Sequence, residues 1–257
     1  MAISLNSLRR KERPKPPIMV LFGTGGVGKT TLAAGSPNPV FLSVEDGIGG
    51  LDVPHWFISS YADVMQAIGT LYSEEHEFQT AVIDSLDWLE AHIAAETCRK
   101  NGWATLEDPG YGKGHVAALA VWRELIDGIR ALRDDKNMAI ILIAHHTVKR
   151  FDSPETEPYD RFLLKLNDRA SNLVIEAADI VAFENYRTSI AKTDIGFSKK
   201  VARGVGSGQR VLYLEERPGF VAKNRFALPA SVDLPATNDP ATLWGAFAQH
   251  LPSFEAA

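Results

Sequence analysis

Only one cysteine, Cys98, occurs in the 257 residues. A lone thiol excludes an internal disulfide, and no cysteine cluster is available to hold zinc. Nor does any apolar run approach the ~20 residues that a membrane-spanning helix requires, so no membrane partner is expected. The N-terminus, Ser7 to Lys15, is polar and basic where a secretion signal would be apolar, and a cytoplasmic location is the resulting expectation. An excess of basic charge is missing too, because 27 Lys+Arg against 32 Asp+Glu give a formal net charge of −5. That argues against a surface basic all round while leaving room for a local basic groove. What remains is the composition of an ordinary globular protein, with 45% hydrophobic and 23% charged residues. The length suits one α/β domain with a well-buried core, or at most two small ones.

The pattern begins with residues 1–16, a basic segment carrying Arg9, Arg10, Lys11, Arg13 and Lys15, read either as a flexible leader or as an arm that docks on a neighbouring subunit or on DNA. Ile18 to Phe22 reads as a buried strand, followed by a short helix from about Gly28 to Ala34 that Ser36-Pro37-Asn38-Pro39 stops. Further strands are expected at Val40–Val44, His55–Ile58, Thr80–Asp84 and Ala139–Ala144, and helices at Ala62–Tyr72, Trp88–Lys100 and Val116–Arg133. Asn101 to Gly114 reads as a loop, and Thr147 to Asp168, charged and proline-bearing, as a long exposed connection. Asp179–Glu184, Val201–Arg203, Gln209–Leu214 and Phe220–Ala222 read as strands separated by tight turns, Gly206-Ser207-Gly208 the clearest. Alternating strands and helices followed by a β-rich end predict an α/β fold: a mainly parallel central sheet flanked by helices, with a C-terminal antiparallel extension.

Gly23-Thr24-Gly25-Gly26-Val27-Gly28-Lys29-Thr30 fits G-x-x-x-x-G-K-[ST] without a mismatch, and Thr31 follows. Lying between an apolar strand and a helix start, this loop wraps phosphates with its backbone N–H groups. Lys29 reaches the β- and γ-phosphates in such a loop, and the Thr30 hydroxyl ligates Mg²⁺. A carboxylate after a second buried strand completes the set. Asp84 ends Ala81-Val82-Ile83-Asp84 and is the expected second metal residue, a role compatible with helix N-capping.

Two kinds of phosphate-loop protein fit less well. A guanine-nucleotide switch needs D-x-x-G and [NT]-K-x-D, but Asp84 is followed by Ser-Leu-Asp, and Ala191-Lys192-Thr193-Asp194 has alanine in the first place. Adenine, and hence ATP, is thus reached by exclusion. A small-molecule kinase needs an arginine-rich lid, for which only Arg161 and Arg169 offer themselves.

Four places resemble RecA-like P-loop ATPases, and within them phage ATP-binding recombination proteins of the single-strand-annealing type, over about residues 17–235. The second strand ends Phe41-Leu42-Ser43-Val44-Glu45, like the RecA-family strand whose terminal glutamate activates the attacking water. The helix after the phosphate loop is cut short at Ser36–Pro39. The strand Ile140–Ala144 ends in His145-His146, where relatives place a polar group that senses the γ-phosphate, and His145 is the first candidate. Ala222-Lys223-Asn224-Arg225-Phe226 resembles the Lys-Asn-Arg-Phe motif of the RadA/Sms branch, in which the basic pair reaches a neighbour's ATP. There is no zinc-finger module, and 236–257 is expected to add only a C-terminal segment with a short helix.

The resemblance implies an Mg-dependent ATP hydrolase that self-associates into a ring or filament and binds single-stranded DNA in recombination or annealing. It admits a single-strand DNA-binding protein as a further partner, and a bacterial host cytoplasm if the chain is phage-encoded. By position, the DNA loops would be Asn101–His115, with Trp103, Tyr111 and Lys113, and Thr147–Asp168, with Lys149 and Arg150. Aromatic groups beside lysine suit base stacking with backbone neutralisation, although Asp152, Glu155, Glu157 and Asp160 dilute the second loop. The competing reading is a nucleotide-switched assembly protein that contacts other proteins rather than DNA.

Overall fold

The computed structural model describes residues 14–154, 157–194 and 200–253, with backbone alone over 188–194 and 200–207. The basic residues Arg9 to Arg13 lie outside the described residues, while Lys15 pairs with Asp134 at 2.9 Å. In chain order the elements are β1 (Ile18–Gly23), α1 (Lys29–Ala34), β2 (Pro39–Ser43), β3 (His55–Phe57), α2 (Tyr61–Ser73), β4 (Thr80–Asp84), α3 (Leu86–Asn101) and α4 (Lys113–Lys136). There follow β5 (Ala139–Phe151), β6 (Tyr159–Leu164), α5 (Asp168–Ala177), β7 (Ile180–Asp194), β8 (Lys200–Tyr213), β9 (Lys223–Asn224), β10 (Ser231–Asp233) and α6 (Pro240–Ala248).

The sheet runs β10-β8-β7-β1-β5-β4-β2-β3. From β7 to β3 every neighbouring pair is parallel, while β8, β9 and β10 join antiparallel. The central parallel strands β1, β2 and β4 are continuous apolar runs because both faces are covered, whereas β3 at the edge is exposed. Along β1, Ile18, Val20 and Phe22 enter one core with α2, α3, α4 and α5, and Met19 and Leu21 enter the other with α1 and α6. That alternation is the period of two of a pleated strand, here with apolar residues in both phases.

Local signals set the helix ends. Ser60 accepts from the Asp63 N–H at the start of α2, and Gly102 (φ 69) and Asn137 (φ 56) close α3 and α4 in left-handed backbone. Behind α1, a side chain at Gly35 would collide with the Pro240 carbonyl, because α6 seats Leu243 and Phe247 in the core there.

Three expectations need correction. The connection after β5 is not an irregular loop: β5 continues to Phe151 and pairs antiparallel with β6, Val148 opposite Phe162 and Lys149 opposite Arg161. The charges there mark exposure, which a two-stranded ladder tolerates as well as a loop does. Gly206-Ser207-Gly208 is not a turn but part of β8. The ladder with β7 shifts register there, between Tyr186 and Thr188, and Gly208 takes φ +71 within that bulge. Phe220–Ala222 is not a strand, since Phe220 makes only isolated bridges to Phe162 and Arg217.

Candidate active site

The phosphate loop leaves β1 at Gly23, where a side chain would strike the Glu184 carbonyl of the adjacent β7. Gly26 (φ 73) and Gly28 (φ 121) adopt backbone that glycine alone takes without strain. The Lys29 ammonium donates to the carbonyls of Gly23 at 3.3 Å and Thr24 at 3.0 Å. Burial lowers its pKa, and the carboxylates of Glu184, Asp84, Asp87 and Glu45 oppose that shift.

β4 does not lie beside β1; β5 comes between them. Asp84, at the end of β4, is buried and accepts from the Thr30 hydroxyl at 2.8 Å. Burial pushes its pKa up to about 6 against the Thr30 hydrogen bond. A hydroxyl and a carboxylate converging in this way fit Mg²⁺, which takes one or two protein oxygens and fills its octahedron with phosphate and water. Among the described residues no group of three or more His, Cys, Asp or Glu could hold a metal alone. The cation would therefore depend on the nucleotide, and its charge would hold Asp84 ionised.

His145 stands on the intervening β5. Its Nδ1 is 3.1 Å from both carboxylate oxygens of Asp87, and Asp87 also accepts the His145 backbone N–H at 3.0 Å. Burial favours the neutral form of Asp87, but these bonds and the His145 charge bring its pKa below the usual value. His146 points elsewhere and packs edge-on against Phe162. Glu45, two residues past β2, joins Lys29, Thr30, Asp84 and His145 in lining one cavity of about 700 Å³. Phe57 and Trp88 line the same cavity although they are 67% and 54% exposed.

The AAA domain family matches residues 15–226. The chain belongs to that family. No curated protein matches it. Among solved structures it is similar to the crystal structure of the RadB recombinase, with a TM-score of 0.51 and 17% identity over 88% of this chain and 90% of that one. The likeness is one of fold, and the fold of this AAA domain is RecA-like. No helix among the described residues is long and apolar enough to cross a membrane.

Other expected site residues of the AAA domain lie apart from this cavity. Lys223 and Arg225 sit by the start of β7, where Lys223 lies opposite Val181, while Glu184 and the phosphate loop come further along the strand. There Lys223 donates to the carbonyls of Ile175 and Glu176 at the end of α5, and Arg225 pairs with Asp179 at 3.2 Å. They do not reach this chain's own phosphate loop. Tyr111, fully exposed, has φ 50 between Gly110 (φ 67) and Gly112 (φ 68), and Lys113 opens α4 immediately after. Trp103 is half-buried beyond the end of α3. On the β5–β6 hairpin Lys149 pairs with Asp168 and Arg150 with Asp152. Arg161 pairs with Glu216 and lies over the Phe151 ring.

Sequence reasoning missed Glu184 and Arg210. Glu184 ends the apolar run Ile180-Val181-Ala182-Phe183 just as Asp84 ends its own, and that shared pattern could have exposed it. Arg210 precedes an ordinary strand run, and only the tertiary packing reveals its place beneath the loop.

Proposed function

We propose that this AAA domain binds and hydrolyses Mg-ATP between copies of itself and couples nucleotide state to a grip on single-stranded DNA, in recombination or annealing. The observation that carries the reading is the convergence of Lys29, Thr30, Asp84, Glu45 and His145 on one cavity. The loop N–H groups and Lys29 hold the phosphates, and Thr30 with Asp84 holds Mg²⁺, which supplies neutralisation of phosphate charge when bound. Glu45 orients the attacking water and takes up its proton.

Asp87 sharpens the part of His145. A carboxylate against Nδ1 fixes the orientation of the ring, which lines the cavity where a γ-phosphate would lie.

A second hollow of about 670 Å³ shares Gly26, Gly28 and Thr31 with the first and is walled by Leu51, Tyr186, Arg210 and Ala236–Asn238. A nucleotide with its γ-phosphate near Glu45 must send its nucleoside away from Mg²⁺, and this hollow receives it. The exposed Phe57 and Trp88 at the first cavity suit cover by a neighbouring copy, which would bring its own Lys223 and Arg225. Tyr111 offers an exposed ring for base stacking beside Lys113.

One observation favours the alternative of a nucleotide-switched protein-assembly module: Lys149, Arg150 and Arg161 all have carboxylate partners. The deciding experiment is the ATP hydrolysis rate with and without single-stranded DNA at two salt concentrations. Stimulation that fades with salt is the expected result. Turnover indifferent to DNA, in a protein that assembles on ATP, transfers the proposal to the assembly reading.

A further inference from the structure

Beneath the phosphate loop lies a carboxylate that the hydrolysis scheme does not use. Glu184 is fully buried at the end of the described core of β7, in register with Gly23 on one side and Leu212 on the other. Among the described residues neither of its carboxylate oxygens has a hydrogen-bond partner. Two cations face it, Lys29 from α1 and Arg210 from β8, and neither donates a hydrogen bond to it. The adjoining strands contribute Gly23 and Leu212, and Gly28 of the loop comes close to one carboxylate oxygen.

Both cations are held by carbonyls. Arg210 donates to Val27 at 3.3 Å, to Pro235 at 3.2 Å and to Thr237, so it ties the loop to the segment after β10. Lys29 donates to Gly23 and Thr24. A buried carboxylate with no donor of its own is costly to ionise and is retained only where something balances it.

We propose that Glu184 is a positioning residue for Lys29, a buried counter-ion that draws the lysine back toward the loop floor and thereby weakens the hold on nucleotide phosphates. The inference rests on the phosphate-binding reading of the loop and deepens it. When phosphate arrives, its negative charge meets that of Glu184 across the loop backbone, and Lys29 is shared between two anions. Removing the carboxylate's charge leaves Lys29 and Arg210 to act on phosphate alone. Arg210 cannot follow Lys29, because three carbonyls fix it, so the adjustable partner is the lysine. The arrangement sets product retention, which commonly limits turnover in nucleotide-driven proteins.

Burial pushes the Glu184 pKa up to about 7. The carboxylate is therefore charged at pH 8 and largely neutral at pH 6, and a variant that cannot ionise should differ from the parent only on the alkaline side.

The test is calorimetric titration of the full chain with Mg-ADP at pH 6 and pH 8, for the parent protein, Glu184→Gln and Glu184→Asp. Glu184→Gln should bind about tenfold more tightly at pH 8, a difference of about 1.4 kcal/mol, and no more than about twofold more tightly at pH 6. Glu184→Asp keeps the charge and should stay near the parent at both pH values. Equal or weaker binding by Glu184→Gln at pH 8 overturns the proposal. So does a tightening of the same size at both pH values, which packing alone would produce. If Glu184→Gln does not fold, the parent protein decides alone: titration at pH 7 in two buffers of different ionisation enthalpy should show proton uptake on Mg-ADP binding, and its absence overturns the inference. No Mg-ADP binding by the parent protein would instead remove the phosphate-loop reading itself.

Discussion

The phosphate loop and the β5–β6 hairpin both concentrate charge, but they handle it in opposite ways. Under the loop, Lys29, Asp84, Glu184 and Arg210 are buried and balance one another only across distance, with no direct ion pair between them among the described residues. On the hairpin, Lys149, Arg150 and Arg161 each meet a carboxylate near water. An exposed pair contributes ~0–1 kcal/mol and exchanges partners readily, whereas a buried unpaired charge costs several times more and persists only where a ligand or mechanism uses it. The difference separates a site built to wait for a highly charged ligand from a surface that is neutral until something displaces its acids. The two regions also differ in how they would meet an anion, since the hairpin must first give up Asp168, Asp152 or Glu216.

The largest effect that would sharpen the contrast is on stability. Glu184 is raised from 4.5 to about 7, so the stability it contributes is complete below about pH 4.5 and lost as pH climbs through about 7. Through Glu184 alone, nucleotide-free protein should lose on the order of 3 kcal/mol between those limits, a loss that Glu184→Gln escapes, while Asp84, its pKa raised to about 6, adds the same further fall to both proteins. Urea melts at pH 5, 6, 7 and 8 would check it, and parallel slopes for parent and variant would erase the special status of the buried site. Next comes Glu45→Gln, which should lower ATP turnover by about 100-fold while Mg-ATP binding stays within about threefold. Retained turnover would take Glu45 out of the chemistry.

On the hairpin side, and in the neighbouring loop, the effects should be smaller. Tyr111→Ala should weaken single-strand DNA binding by about tenfold, within the ~1–3 kcal/mol of a stacked base, as read by fluorescence anisotropy. No change would leave the Gly110-Tyr111-Gly112 tip without a nucleic-acid role. Smallest of all, Lys149→Ala should shift DNA affinity by less than about threefold and flatten its salt dependence slightly, because the lysine already has Asp168. A loss of tenfold or more would break the comparison, since it would mean that the hairpin's paired charges serve a ligand no less than the buried ones do.

How far these regions could be read from residues follows the same line. The phosphate loop and the Asp84 strand were legible because glycine spacing and a terminal carboxylate after an apolar run are local signals, and the RecA-like alternation of strands and helices follows from the same runs. The hairpin was not, because its ladder is held by cross-strand pairs such as Val148–Phe162 that no single segment announces. The Gly206–Gly208 stretch misled for a related reason: glycines that serve a bulge look the same as glycines that serve a turn. Glu184 and Arg210 escaped because their importance arises only when β7 and β8 meet beneath the loop. Asp87 was visible as a cap residue, but its contact with His145 is a fact of tertiary packing.

One strand, β5, runs unbroken for 13 residues from Ala139 to Phe151. Its first half is locked between β1 and β4, and its second half forms one arm of the hairpin. Strands rise about 3.3 Å per residue and resist stretching, and a slip by one residue would turn every side chain to the wrong face. Such a strand behaves as a stiff rod, with His145 partway along it and Arg150 about 16 Å further on. The histidine that lines the cavity and the arginine on the hairpin thus belong to one continuous strand, with no loop between them.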